Sequence, residues 1–203
     1  MEIEKRTYSA EFRAAEDPAN QKIIGLAACF NSLSAVMRTK GGQEFREQVA
    51  PGAFREAIAR AGSNPSDECR SLINHNPDKI MGRHPKTLSL QETERGLEFE
   101  IDPPDTSYAR DLKVSMARGD IKECSFGFNV PEGGDSWKRD GATGMAIRTI
   151  SKIGKLFDVS IVTYPAYDST ECSLRSIGNI EGEEVPPFND TEIRKMRLQL
   201  AAL

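Results

Sequence analysis

As far as Thr163, apolar and polar positions alternate with the two-residue period of half-buried strands, broken by Gly, Pro, Asn and Asp clusters that predict turns. Residues 2–15 alternate loosely, meet the turn cluster Glu16-Asp17-Pro18-Ala19-Asn20 and lead into the apolar run 23–30, which together predict a hairpin. Residues 44–49 read as a half-buried strand closed by Pro51-Gly52. Leu88, Leu90, Leu97, Phe99 and Ile101 fall on one side of a second hairpin whose turn is Gln91–Gly96. Helical spacing appears early in Phe54, Ala57, Ile58 and Ala61, which predict a short helix over 53–61 ended by Gly62. It returns in Tyr108, Leu112 and Met116, after a cap at Asp105 or Thr106 and before a stop at Gly119.

Two further strands carry the most chemistry. In Cys124–Val130 the residues Cys124, Phe126, Phe128 and Val130 share one apolar face, while Ser125, Gly127 and Asn129 share the other. Gly127 leaves bare backbone beside the Ser125 hydroxyl, where an extended substrate peptide could lie. In residues 155–163, Asp158, Ser160 and Val162 share a face, and an acid in so apolar a strand needs a partner. The Gly-rich stretch Pro131–Gly144 around Trp137 reads as a long hairpin loop between the first of these strands and a further one over Met145–Ile150, with the position of a substrate flap. A short strand over 69–75 delivers His75 to the edge of a turn, Asn74-His75-Asn76-Pro77-Asp78.

Composition narrows the function classes. The 203 residues suffice for one hydrophobic core, and 38% apolar with 29% charged residues describes an ordinary soluble chain. A net charge of -4 supplies no basic field for nucleic acid. No stretch approaches the roughly 18 apolar residues that span a bilayer, and residues 1–6 lack the apolar run of a signal peptide, so a cytoplasmic location is expected. The four cysteines are scattered, which indicates buried thiols rather than a zinc site or a disulfide framework.

Only two histidines, His75 and His84, can serve as a base near neutral pH. Serine hydrolysis needs a nucleophile, a base and a group that orients the base, and Ser125, His75 and Asp158 could supply them. A strand serine is most often structural, so spacing alone does not establish the set. Cys124 shares a face with two phenylalanines and reads as inert, and His84, beside Pro85, is the weaker base. His75 with Asp78 is only a two-ligand metal group, and no carboxylate pair stands out for sugar hydrolysis.

Several blocks in order carry a resemblance: Phe45–Phe54, Leu72-Ile73-Asn74-His75-Asn76 with Gly82-Arg83, Gly119-Asp120-Ile121 leading to Ser125-Phe126-Gly127-Phe128, Asp158–Thr163, and Pro165-Ala166-Tyr167. Together they resemble the prohead maturation proteases of tailed bacteriophages, over about residue 8 to Arg175. The resemblance implies a mainly β fold with a few helices, a distorted antiparallel β-barrel wrapped by short helices, similar to the herpesvirus assembly proteases. It implies His75 as base and Ser125 as nucleophile. Those relatives carry a second histidine where this chain has Asp158, so Asp158 is expected to orient the imidazole. Backbone amides near Ala166 and Tyr167 are the expected oxyanion donors, in place of the arginine pair of the herpesvirus enzymes.

The implied activity is a serine endopeptidase, without cofactor or metal, that cleaves the scaffolding segment of the major capsid protein, and itself, inside the prohead in the host cytoplasm. A non-catalytic capsid- or scaffold-binding module on the same fold is the alternative. The expected partners are the capsid protein with its scaffolding segment and further copies of this chain, with no nucleic acid and no membrane. The protease domain is expected over 1–177, followed by an acidic Pro/Gly-rich linker over 178–190 and an amphipathic helix or arm over 191–203.

Overall fold

The computed structural model describes residues 3–9, 13–14, 22–39 and 41–164. The expected linker and final helix, and Ala166 and Tyr167, lie outside the described residues. The first half of the chain runs β1 (Glu4–Ser9), β2 (Arg13–Ala14), β3 (Ile23–Cys29), β4 (Met37–Arg38), β5 (Glu44–Val49) and α1 (Arg55–Ser63). Next come β6 (Arg70–Ile73), β7 (Asn76–Arg83), β8 (Leu88–Glu92), β9 (Gly96–Ile101) and α2 (Ser107–Ala117). The last described part holds β10 (Glu123–Asn129), β11 (Asp135–Arg139), β12 (Ala146–Ile150) and β13 (Lys155–Val162).

The strands form three sheets in the orders β1-β10-β13-β6-β7, β11-β12-β5-β4 and β2-β3-β9-β8. The fold is mainly β with two helices among the described residues, as the resemblance implies. The ladders do not join into a closed barrel among these residues. Register breaks at Leu26/Ala28, Ser71/Leu72, Leu72/Ile73 and Gly127/Phe128 bend the strands, and the sheets meet mainly through side chains instead. Two of the pairings, β12 with β5 and β13 with β6, are parallel.

The buried apolar side chains form a large cluster and a smaller one of Met37, Phe45, Trp137 and Ala146, and the larger carries the site. Phe54 meets Phe126 edge-on at 5.4 Å, and Phe126 meets Phe128 at 4.9 Å, so the apolar face read in β10 is the centre of the packing. Leu88, Leu90, Leu97, Phe99 and Ile101 are buried together, as their alternation requires. In α1, Ala57 and Ala61 are buried and Ile58 half-buried, which matches the expected face. The start of α1 has no side-chain cap of its own, and Glu92 of β8 supplies one from a distance, accepting from the Gly52 and Phe54 amides at 2.8 and 3.1 Å.

Three segments depart from the sequence reading. Residues 4–9 do not pair with the run 23–30; of the described residues before it Arg13 and Ala14 do, while β1 joins β10 in register Thr7 to Ser125. Among the described side chains of β1 the inward ones are Glu4 and Arg6, so the buried side is charged there and gives no hydrophobic signal. Second, Pro131–Gly144 is not one loop: β11 pairs with β12, and its Trp137 is buried 5.1 Å from the Phe45 ring, which removes the expected flap. Third, Asn76-Pro77-Asp78 opens β7 rather than a turn. Because β7 is an edge strand, a proline without an N–H is tolerated there.

Candidate active site on the inner strands

Ser125 sits in an interior strand. β10 is flanked by β1 and β13, with Thr7 on one side of Ser125 and Ser160 on the other. Both backbone edges of β10 are therefore taken, so no substrate peptide can pair along it. The hydroxyl is buried, which obliges it to find a partner.

That partner is His75. Asn74 and His75 form the two-residue turn between β6 and β7, with φ of 53° and 55°, the left-handed pair of a tight hairpin. Asparagine tolerates this conformation and histidine does so less readily, so the turn needs external support. Asn74 provides it: its N–H donates to Ile161 O at 2.9 Å, its Oδ1 accepts from the Thr163 amide at 2.8 Å, and its Nδ2 donates to Thr163 Oγ1 at 3.2 Å. The turn is thereby pinned across the end of β13, and the imidazole reaches back over the sheet to β10.

His75 Nε2 lies 2.8 Å from Ser125 Oγ, and Nδ1 lies 2.6 Å from Asp158 Oδ1. A carboxylate only accepts, so Nδ1 carries the proton and Nε2 is left free to accept from the serine hydroxyl. Ser160 Oγ also donates to Asp158 Oδ1. The expected trio is thus one hydrogen-bonded chain, with Ser160 as a fourth member that sequence reasoning had placed on the right strand face but without a role.

Gly127 changes meaning. It stands opposite Asp158 in the ladder, and a Cβ built on it would fall 2.6 Å from Asp158 Oδ2. The space read as room for a substrate backbone is occupied by the carboxylate of this chain itself. Cys124, on the other face, is a poor nucleophile: burial, reinforced by the Asp158 charge, pushes its thiol far above the ordinary range despite a weak hydrogen bond to Ser125 O. His84 is also buried, with Nδ1 donating to Leu88 O at 3.0 Å, and it holds a bend rather than joining the chain. Asp78 is exposed on β7, and its amide donates to Asn76 Oδ1.

Sequence reasoning missed Asn74 and a buried ion cluster behind the site. An asparagine before a histidine at a strand end carries a signal, since two-residue hairpins favour Asn where φ is positive. The ion cluster carries none, because Glu4, Arg6, Glu47, Asp135 and Arg148 read as solvated positions one at a time.

A hydroxyl, an imidazole and a carboxylate joined in that order are the equipment of a serine hydrolase. No curated protein and no solved structure matches the chain. The family model of the caudovirus prohead serine proteases matches residues 8–183, which is most of the 203 residues and contains every member of the hydrogen-bonded chain. By that match, the chain belongs to the caudovirus prohead serine protease family.

Proposed function

We propose that this protein is a serine endopeptidase in which Ser125 is the nucleophile, His75 the general base and Asp158 the group that orients the base. The observation that carries the reading is the continuous path from Ser125 Oγ through the imidazole to the carboxylate, at 2.8 and 2.6 Å. In the first step Ser125 Oγ attacks the scissile carbonyl carbon while its proton moves to His75 Nε2. Asp158 stabilises the imidazolium that results. His75 then passes the proton to the departing amine, leaving an acyl group on Ser125. Water, deprotonated by the same imidazole, releases the acid product.

The family points to a phage capsid-related substrate and to action within the prohead. We take the substrate to be the scaffolding segment of the major capsid protein, with cleavage of the chain's own sequence as a second event. No helix among the described residues is long and apolar enough to cross a membrane. The amides near Ala166 and Tyr167 are our proposed oxyanion donors, because the chain reaches them directly after β13.

Ser125→Ala and His75→Ala are each expected to abolish cleavage of co-expressed major capsid protein while keeping the fold, read by mass spectrometry of the capsid chain and circular dichroism of the variant. Normal processing by a folded Ser125→Ala protein overturns the assignment.

A further inference from the structure

An orienting carboxylate works only if it is itself held, since free rotation about its last bond presents an oxygen to the imidazole for part of the time. The Asp158 carboxylate is confined at both oxygens. Oδ1 accepts from His75 Nδ1 and from the Ser160 hydroxyl, and Ser160 is fully buried on the same strand face, two residues along β13. A hydroxyl removed from water needs a partner, and the one Ser160 finds is this carboxylate. Oδ2 lies over the bare Cα of Gly127, where any Cβ would approach to 2.6 Å.

The backbone of Gly127 does not call for glycine, since its φ lies outside the left-handed range. Close approach of the acid is what excludes a side chain. Gly127 and Ser160 also flank Ser125: Gly127 follows it on the same face of β10, and Ser160 stands directly across from it in the β10–β13 ladder.

We propose that Ser160 and Gly127 form a socket that fixes the Asp158 carboxylate and, through it, aims the His75 imidazole at Ser125. Both are positioning residues, and neither touches the reacting atoms. The catalytic consequence rests on the hydrolase reading above. The socket itself rests on the geometry of the acid.

Reactivity of Ser125 is measured with a fluorophosphonate probe, which requires no knowledge of the cleavage site. In Ser160→Ala the labelling rate at saturating probe falls about tenfold to a hundredfold, the scale of one hydrogen bond to a charged group, with half-saturation unchanged. Gly127→Ala loses at least as much, since its methyl group displaces the carboxylate. In an Asp158→Ala background neither substitution lowers the rate further, because the group they hold is gone. Equal labelling of wild type and Ser160→Ala, or the same fold loss in both backgrounds, overturns the proposal.

A second measurement does not depend on activity. The Nδ1–H proton of His75, seen by NMR in proteins whose amide spectra show them folded, shifts in Ser160→Ala and in Gly127→Ala relative to wild type. An unmoved resonance overturns the socket. If wild-type Ser125 is not labelled at all, the hydrolase reading falls, and the resonance alone decides whether the socket exists.

Discussion

Two polar networks are buried on opposite faces of the β1–β10 pair, and they are built to different rules. On the Thr7–Ser125 face is the short chain Ser125, His75, Asp158 and Ser160. On the Arg6–Phe126 face lies an ion cluster that joins two sheets. Arg6 Nε donates to Glu47 Oε1 and Arg6 Nη2 to Glu4 Oε2, both at 2.6 Å. Arg148 Nη1 donates to Glu4 at 2.6 Å and to Glu47 at 2.9 Å, and its Nε donates to Asp135 at 2.6 Å. The guanidinium of Arg6 also lies 5.5 Å from the Phe128 ring centre, and that of Arg148 lies 6.0 Å from the Trp137 ring.

The ion cluster is cross-braced, with each guanidinium shared among acids from different strands. Its role is to fix β1, β5, β11 and β12 to one another. The site network is linear, with the Ser125 hydroxyl at one end and the Ser160 hydroxyl at the other. Cross-bracing of guanidiniums by carboxylates gives rigidity but offers no hydroxyl or imidazole to relay a proton. On the mechanism proposed above, a linear path with an imidazole between hydroxyl and carboxylate passes a proton while the carboxylate balances the charge that forms.

That contrast is broken most sharply by paired substitutions. Asp158→Ala is expected to lower turnover by about a hundredfold or more, the order seen for orienting acids, with the folded fraction largely kept. Glu47→Gln is expected to do the reverse: it weakens the charge-assisted hydrogen bonds that two buried guanidiniums share, leaving Glu4 and Asp135 as their acids, and costs about 1.5–3 kcal/mol of stability, while folded molecules retain near-normal turnover. Denaturant unfolding together with fluorophosphonate labelling of both variants separates the two. A stable, fully active Glu47→Gln protein would show that the cluster is not a brace.

Acid sharpens the same division. Burial alone would raise the Glu47 carboxyl, but Arg6 and Arg148 outweigh it and hold the group below the usual range. A depressed folded value makes the unfolded chain the better proton binder at low pH. The contribution of Glu47 is therefore complete above the unfolded value of about 4.3, and it is lost as pH falls through the folded value. The free energy of unfolding is expected to drop more steeply below about pH 4 in wild type than in Glu47→Gln. Parallel slopes would remove Glu47 from the acid response.

How far the sequence could be read follows from what each strand buries. β8, β9 and β10 bury hydrocarbon at every second position, so period and face were both legible. β1 buries Glu4 and Arg6, and β11 buries a single Trp137 among polar residues; neither pattern distinguishes a strand from a surface segment. His75, Ser125 and Asp158 could be singled out because histidine is scarce and the motif blocks occur in order. Their approach to one another could not be read, since it depends on a parallel β6–β13 pairing between segments some 85 residues apart. Gly127 was singled out for the wrong reason, because a missing side chain does not say which neighbour needs the space.

The smallest expected effect tests what holds the site network against its sheet. Asn74 both adopts positive φ and clamps Thr163, and two substitutions divide these roles. Asn74→Gly keeps the backbone freedom and loses the amide, whereas Asn74→Ala loses both and adds left-handed strain of about 1 kcal/mol. If the clamp aims the imidazole, both variants lose turnover to a similar degree, on the order of tenfold, and Ala alone shows the further loss in stability. If the turn conformation is what matters, Gly keeps wild-type turnover and Ala does not. The comparison is informative because the ion cluster has no equivalent of this turn. Its side chains come from strands already locked in register, whereas His75 is carried by two residues that need Asn74 to stay over β13.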